Sequence, residues 1–507
     1  MNATGQTLTS LLDHLDDPNV AGTPDVMMTG ITSDSRRVVP GMGFVAVAGT
    51  GDDGHRYVGE ALERGASVIF GNELGPSVGK RTFVHVPRPR RALSQLASAW
   101  YGHPSRQLKV VGITGTNGKT TVSFILRHLL RSHGEACGLI GTVRYEVGDR
   151  HIPANRTTPE PVELHRLLGD MIGVGCRHVV MEVSSHALVQ ERVSSVDFNL
   201  AAFTNLTRDH LDYHSDLESY FVAKRRLFEM IHPGYPGRSI ILNLDDGFGR
   251  RLAKEFREVP QLSYGLQHAR PLSYSAVGLR LQKHATHFTV LAGEEALDVV
   301  LPMVGGYNVQ NSLAALAMGS EMGMPLSSMV EALESLPPIP GRLERLNQGQ
   351  PFSVFVDYAH TADALRRVLE TLRRTSSGRL LVLFGCGGGR DEGKRYEMGR
   401  IAARLADGSW ITNDNPRMEA PEQIIRQILS GVQSVGGHPW NVEYDRRRAI
   451  EGILREAEPG DVVLIAGKGH ETYQEIDGAV IPFDDRIYVE KALENLGFIP
   501  GEVRLAS

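Results

Sequence analysis

The sequence predicts an α/β protein of three domains built on parallel sheets, and two observations carry that expectation. Five apolar runs close in Gly- or Asp-rich loops and are often followed by a helical pattern: LKVVGIT (108–114), HVVMEV (178–183), FSVFVD (352–357), RLLVLFG (379–385) and DVVLIAG (461–467). Strands apolar on both faces that alternate with helices belong to parallel sheets, whose ligands bind beyond the carboxyl ends of the strands. The chain also has 507 residues, which at roughly 100–200 residues per domain gives about three domains.

Three segments follow: residues 1–107 as a small α/β unit, 108–338 as a central domain with a P-loop-type parallel sheet, and 339–507 as a Rossmann-like carboxyl-terminal domain. Within the second, 270–303 alternates more than it spirals and predicts a few antiparallel strands. LPPIPGR (336–342), with three prolines and a glycine, reads as the linker before the last domain.

Composition narrows the function classes. The chain is 41% hydrophobic and 22% charged, with a formal net charge of -5, so it lacks the basic excess of a nucleic-acid-binding protein. The densest basic cluster, Arg88 to Arg91, is broken by Pro87 and Pro89 and reads as a solvated turn ahead of a helix. Cys137, Cys176 and Cys386 are too far apart for a disulfide framework or metal knuckle and fit a reducing compartment. MNATGQTLTSLLDHLDD has neither the basic nor the apolar region of a signal peptide. No run of about 18 apolar residues predicts a membrane span. A cytoplasmic protein acting as a monomer is expected.

The strongest local signal is VVGITGTNGKTTVSFILRHLLRS (110–132). A strand enters a glycine-rich turn, then Lys119 and Thr120 open a helix with apolar residues at Val122, Ile125, Leu126, Leu129 and Leu130. Such a loop turns backbone N–H groups onto phosphate oxygens, with the helix amino terminus adding partial positive charge. Lys119 can reach the outer phosphates and the Thr120 hydroxyl can ligate magnesium. The general pattern G-x-x-x-x-G-K-[ST] wants glycine where this chain has Ile113; its glycines stand at Gly112, Gly115 and Gly118.

Glu182 lies near the end of the next apolar strand. A carboxylate there is costly to bury unless it is paired or bound to a cation, which makes it a candidate magnesium ligand. NLAAFTNLTRDHLDYH (199–214) is a strand ending in a His- and Asp-rich loop. His210 is the candidate ligand of that loop, while Asp209, Asp212 and His214 serve equally well as helix caps or surface groups.

GTNGKTT (115–121), MEVSSHAL (181–188), TNLTRDHLDYH (204–214), YFVAKRRLF (220–228), GGYNVQNSLAA (305–315), PGRLE (340–344) and DYAHTADAL (357–365) together resemble the Mur ligase family, in order and over nearly the whole chain. The resemblance implies an ATP- and magnesium-dependent ligase of peptidoglycan precursor synthesis, with small-molecule substrates. The three segments would bind the UDP-sugar, ATP and the incoming amino acid in turn. The phosphate loop Gly115, Thr116, Asn117, Gly118, Lys119, Thr120 and Thr121 would hold ATP, with Asn308 and Asn311 near adenine, Arg342 and Asp357 near phosphates and ribose, and His360 in the same loop. Lys224 matches a lysine that carbon dioxide carbamylates; a carbamate is an anion able to ligate a hard cation. Without the resemblance, Lys224 reads as a surface lysine. Thr120, Glu182, His210 and the Lys224 carbamate would face the metal.

Thr157, Thr158, Ser184, Gln190 and Arg192 match contacts to a UDP-N-acetylmuramoyl-dipeptide, and Arg156 departs from the asparagine expected beside them. Ser33 and Ser35 in TSDSRR resemble a uridine-binding turn, with the Thr50-Gly51-Asp52 loop on the uracil side. Asp414, Asn415, Pro416 and Arg417 form DNPR, which resembles the signature for adding meso-diaminopimelate rather than lysine; out of that context it is an Asx-Pro turn. A guanidinium fork suits the extra distal carboxylate of that amino acid. Arg390, Gly467 and Glu471 match the other residues around it, with Glu471 suited to the distal ammonium. The expected reaction converts the γ-carboxylate of D-glutamate to an acyl phosphate, which the amine then attacks. His210 or a nearby carboxylate would take the amine's proton. Lysine-adding and folate polyglutamylating ligases, or a P-loop NTPase switch, are the alternatives.

Overall fold

Each of the five apolar runs forms a strand: Lys109–Thr114, His178–Glu182, Ser353–Asp357, Leu380–Phe384 and Val462–Ala466, with Lys109 alone exposed. The computed structural model describes residues 5–49, 52–73, 81–267 and 271–498, and sets these strands in two of its three large sheets.

The central sheet has eleven strands. Its middle is parallel, with Lys109–Thr114 flanked by His178–Glu182 and Leu200–Phe203. In that register Glu182 pairs with Ile113, and Thr114 with Phe203. The carboxyl ends of three strands therefore open on one spot. On one face, Val122, Ile125 and Leu129 of the Lys119–Ser132 helix and Leu313 of Gly306–Glu321 pack with Val111 and Ile113. On the other face, Leu164 and Leu168 of Pro161–Gly173 and Leu227 of Leu217–Glu229 pack with Val110. Each such aliphatic side chain contributes about 1.5–3 kcal/mol by burial. Ile113 is fully buried in this core, which explains its departure from the general phosphate-loop pattern. The chain is still strand there, and the loop begins only at Gly115.

The expected antiparallel strands are Tyr274–Leu281, Thr286–Ala292 and Glu295–Leu301. They extend the central sheet, and the first of them runs parallel to its neighbour Gln261–Gly265. Pro337 and Pro338 lie exposed between the helix Leu326–Glu334 and the strand Glu344–Leu346.

The five-stranded amino-terminal sheet is parallel from Gly30–Thr32 through Thr82–His85, with Asn19–Ala21 antiparallel on its edge. The six-stranded carboxyl-terminal sheet is parallel apart from Glu344–Leu346, and Val462–Ala466 lies between Ser353–Asp357 and Leu380–Phe384. The arginine cluster is more structured than a solvated turn. Pro89 opens a helix to Trp100, so Arg90 and Arg91 are helical, and Asp16 takes Arg88 (2.8 Å) and Arg91 (2.7 Å). No helix among the described residues is long and apolar enough to cross a membrane.

His165, on Pro161–Gly173, is fully buried, and neither ring nitrogen has a partner among the described residues. Burial pushes its pKa down to about 3. Folding thus favours the neutral ring, so its stabilising contribution is complete above about pH 6.5 and declines as pH falls towards the folded value. The slope in that window is at most about 1.4 kcal/mol per pH unit. In urea unfolding, His165→Leu should shrink the stability lost between about pH 7 and about pH 5 by up to about 2 kcal/mol. An unchanged pH dependence would remove His165 from the acid response.

Candidate active site

The phosphate loop is shaped by two glycines and clamped by its neighbour. Gly115 has φ +148° and Gly118 φ +90°, conformations that glycine adopts without strain. Space is equally short. A Cβ on Gly115 would lie 1.9 Å from Thr204 Oγ1, and one on Gly118 would lie 2.5 Å from Asn311 Oδ1. Thr116 N donates to Asn205 O (2.8 Å), Asn117 N to Asn205 Oδ1 (3.0 Å) and Thr204 Oγ1 to Asn117 O (2.6 Å). Lys119 folds back so that Nζ donates to Gly115 O and Thr116 O, both at 2.9 Å. Burial lowers its pKa, and Glu182 and Asp209 oppose that shift. Thr121 is buried in the first turn of the helix.

Glu182 is fully buried. Its carboxylate accepts from Thr120 Oγ1 (3.0 Å), Thr142 Oγ1 (3.0 Å) and Thr142 N (2.9 Å), all neutral donors. The Thr120 hydroxyl also accepts from Arg342 Nη2 at 2.9 Å, so one threonine links the central carboxylate to the carboxyl-terminal segment.

Lys224 corrects the surface reading. It is 1% exposed, and its Nζ donates to Gly115 O at 2.8 Å, the carbonyl that also receives Lys119. Tyr220, Phe221, Leu227 and Phe228 of the same helix are buried with it. Helical spacing places Lys224 on that apolar stripe, a signal present in the sequence. Burial, then the nearby Lys119, hold its pKa well below the usual lysine value.

His210 has φ +55° and a side chain 39% exposed. Burial, then the neighbouring basic groups Lys224, His360 and Lys119, push its pKa down to about 4 against the pull of Asp209, so the ring is neutral at neutral pH. Asp209 is buried, 3.4 Å from His210 and 4.0 Å from His360. It is neither cap nor surface group; nor is His214, whose Nε2 meets Ser185 Oγ at 3.0 Å. Asp216 caps the following helix instead. Among the described residues no three His, Cys, Asp or Glu side chains converge to hold a metal ion.

Asn308 and Asn311 are buried on Gly306–Glu321, where Asn311 Nδ2 donates to Asn308 Oδ1 (3.3 Å). Asp357 accepts from the Leu343 and Ala359 amides at 2.6 and 2.8 Å; burial raises its pKa, and Arg342 pulls the other way. Asn117 Nδ2 reaches Asp363 Oδ2 (3.3 Å), and Arg208 pairs with Asp391 (3.4 Å), so the carboxyl-terminal segment meets the phosphate loop directly.

A cleft of about 2150 Å³ runs between the amino-terminal and central segments, with Ser33, Ser35, Asp52, Arg90, Arg156, Glu160 and Gln190 in its lining. Ser35 Oγ is turned onto Glu60 (2.7 Å); Thr50 and Gly51 lie outside the described residues. Arg156 pairs with Glu160 at 2.8 Å, and Glu160 also meets Arg192 at 3.2 Å. Arg192 donates to Gln190 Oε1 and to Thr158 O (2.9 Å); Thr158 Oγ1 donates to Glu182 O (2.9 Å) and accepts from Ser184 N (3.1 Å). Thr157 Oγ1 meets Thr142 Oγ1 at 3.0 Å. These residues form one polar path from the cleft to Glu182.

In the carboxyl-terminal domain, Asn415 Nδ2 donates to Glu471 Oε2 (2.9 Å), and the buried Lys468 donates to Glu471 (2.8 Å) and to Asn415 Oδ1 (3.0 Å). Burial raises the Glu471 pKa against the pull of Lys468. Asp414 Oδ2 is buried without a partner among the described residues, and a Cβ on Gly467 (φ +112°) would lie 2.7 Å from it. Pro416 O accepts from Glu419 N (3.0 Å). Arg417 and Arg390 flank Gly387: its added Cβ would be 3.0 Å from Arg417 Nη1 and 3.8 Å from Arg390 Cγ. Arg390, half exposed, stands 4.0 Å from Asp212. Sequence reasoning missed Thr142, Asp363, Lys468 and Glu475, the last paired with Arg417 Nε at 3.2 Å. Asp363 lies inside DYAHTADAL and Lys468 beside Gly467, yet only three-dimensional proximity shows what they meet.

Family models described as Mur ligase family, catalytic domain, Mur ligase middle domain, and Mur ligase, glutamate ligase domain match residues 27–101, 113–319 and 341–469. The chain is 42% identical over 479 residues to UDP-N-acetylmuramoyl-L-alanyl-D-glutamate--2,6-diaminopimelate ligase of Solibacter usitatus (strain Ellin6076), covering 93% of this chain and 94% of that one. It is 41% identical to the ligase of the same name from Streptomyces coelicolor (strain ATCC BAA-471 / A3(2) / M145), covering 96% of each. A solved structure of a ligase of that name superposes with TM-score 0.68 at 31% identity, over 97% of this chain and 100% of its own. The chain belongs to the Mur ligase family.

Proposed function

We propose that the chain joins meso-2,6-diaminopimelate to the D-glutamate of UDP-N-acetylmuramoyl-L-alanyl-D-glutamate, using ATP, in cytoplasmic peptidoglycan precursor synthesis. The observation that carries this reading is the Thr120 hydroxyl. It meets Glu182, at the end of the path from the large cleft, and Arg342, from the carboxyl-terminal segment. In this reading the phosphate loop, the path from the cleft and the carboxyl-terminal segment meet at Thr120, as a reaction of three substrates requires. Domain bounds at 107/108 and 338/339 suit that division of labour.

A carboxylate does not condense with an amine at neutral pH, because oxide is a poor leaving group. In the proposed sequence a glutamyl carboxylate oxygen bonds to the γ-phosphorus of ATP and ADP leaves. The amine of diaminopimelate then attacks the acyl carbon and inorganic phosphate departs. Lys119, the loop amides and Arg342, whose Nε is buried without a partner among the described residues, would offset the charge gathered during transfer. The amine's proton would go to a nearby carboxylate or, where the ring does not hold the metal, to His210, which is neutral at neutral pH. Contacts between the carboxyl-terminal segment and the phosphate loop would keep water from the acyl phosphate.

Magnesium fits the donors present. Glu182 is a buried carboxylate supported only by neutral donors, and with Thr120 it offers hard oxygen ligands. Bound there, the ion would neutralise nucleotide phosphate charge. Lys224, with its lowered pKa, would present the neutral amine that carbon dioxide requires, and its carbamate would add an anion where an ammonium repels. His210 completes the proposed set. Arg417 and Arg390 would receive the distal carboxylate of diaminopimelate, and Glu471 its ammonium.

Phosphate release should require ATP, magnesium, the UDP-dipeptide and meso-diaminopimelate together, with little release when L-lysine replaces the last. A preference for lysine would overturn the assignment of Arg417, and release without any amine would favour a simple NTPase. Lys119→Ala should abolish turnover, and wild-type rates would sink the phosphate-loop assignment. Gly115→Ala, forced against Thr204, should weaken nucleotide binding by more than about tenfold in a fluorescent-ATP titration, or roughly 1.4 kcal/mol.

A further inference from the structure

Past the amino-acid pocket, YQEIDGAVIP forms a hairpin of strands Tyr473–Ile476 and Ala479–Pro482. Asp477 and Gly478, at φ +50° and +75°, make the two-residue turn that matches strand twist. Its Tyr473–Ile476 strand is fastened along the whole Asp414–Arg417 turn. Gln474 Nε2 donates to Asp414 O (2.7 Å), and Glu475 N donates to Asn415 Oδ1 (3.0 Å). Arg417 N donates to Glu475 O (3.0 Å), and Asp477 N to Arg417 O (2.8 Å).

Arg417 itself is held at φ +57°, a conformation that strains a non-glycine residue and persists only when its surroundings enforce it. The two bonds to the hairpin backbone enforce it. The side chain is held as well. Nε pairs with Glu475 Oε2 at 3.2 Å, and Nη1 donates to Gly388 O at 2.8 Å. Nη2 is the guanidinium nitrogen with no partner among the described residues. Nη1 thus gives one of its two N–H groups to the protein and Nε faces Glu475, which leaves the other Nη1 hydrogen and Nη2 as an edge for a ligand.

We infer that Glu475 is a specificity-determining positioning residue: it fixes the Arg417 guanidinium so that a free edge meets the distal carboxylate of the incoming amino acid. This rests on the proposed role of Arg417. Glu475 touches no substrate in this scheme. It acts by removing the rotamer freedom of a long side chain before the ligand arrives, and preorganisation of that kind strengthens binding without a new contact. An amino acid without a distal carboxylate gains nothing from it. The effect is confined to one substrate of three.

The test is steady-state kinetics of the full chain with each substrate varied in turn, for wild type, Glu475→Gln, Glu475→Ala and Arg417→Ala, with thermal unfolding to confirm folding. Glu475→Gln keeps the side chain's shape and removes its charge. It should raise KM for meso-diaminopimelate about fivefold, the effect of about 1 kcal/mol for a partly exposed pair. Its kcat and the KM values for ATP and the UDP-dipeptide should stay within about twofold. Glu475→Ala should raise the diaminopimelate KM at least as far. If Arg417→Ala raises that KM and neither Glu475 variant does, the positioning role is wrong while the pocket stands. If Arg417→Ala also leaves it unchanged, the reading of Arg417 itself falls. Parallel loss of kcat and all three KM values in both Glu475 variants would make Glu475 merely structural and overturn the inference.

Discussion

The arrangement of the site depends on a carboxylate placed where water does not reach. Glu182 is the last residue of a strand buried on both faces, registered beside Ile113 at the mouth of the phosphate loop. Burying an unpaired carboxylate is costly, and the surroundings answer with hydroxyls and an amide rather than a cation. Thr142 and Thr120 are fixed by that demand. Through Thr120 the constraint reaches Arg342, and through the strand's terminal carbonyl it reaches Thr158, Arg192 and Gln190. Because its hydrogen-bond donors are all neutral, a hard cation is a natural complement to this carboxylate.

The lysines obey the opposite constraint. Lys119 and Lys224 both donate to one carbonyl, that of Gly115. Burial lowers both pKa values, and a neighbouring cation adds to each shift: Arg342 for Lys119, Lys119 for Lys224. The loop's glycines permit this crowding, since Gly115 leaves Thr204 its place and Gly118 leaves Asn311 its place. Acids and bases are thus sorted: the carboxylate on the strand, the amines around the loop carbonyl, and the neutral His210 beside Asp209.

The strands were legible because burial on both faces writes itself as continuous apolar runs, and each of the five emerged where the runs lay. Ile113 looked like a defect in a pattern and is a consequence of strand length. Lys224 was legible in principle, since it shares a helical stripe with Tyr220, Phe221, Leu227 and Phe228, yet a single lysine among arginines reads as surface. Ser33 and Ser35 were found through TSDSRR, but no spacing announces that Glu60 would claim the Ser35 hydroxyl. Arg156 and Arg192 share Glu160, a link that joins a rim residue to a buried one and that linear spacing hides. The hairpin after Glu471 carried a usable sign, Asp-Gly between alternating residues, whereas its attachment to the Asp414–Arg417 turn depends on tertiary placement.

The Thr120 hydroxyl has one hydrogen and two lone pairs. Its hydrogen goes to Glu182 and one lone pair takes Arg342, which leaves a single direction for any newcomer. A cation arriving along it would share an oxygen with a guanidinium 2.9 Å away and would be repelled by it. Loading of that oxygen and seating of the carboxyl-terminal segment are therefore antagonistic at this atom, even though both serve the same nucleotide. Beyond Glu182 itself, an anion lying between the two positive groups would relieve the conflict, so the triphosphate would act as the mortar between domains as well as the reagent they hold.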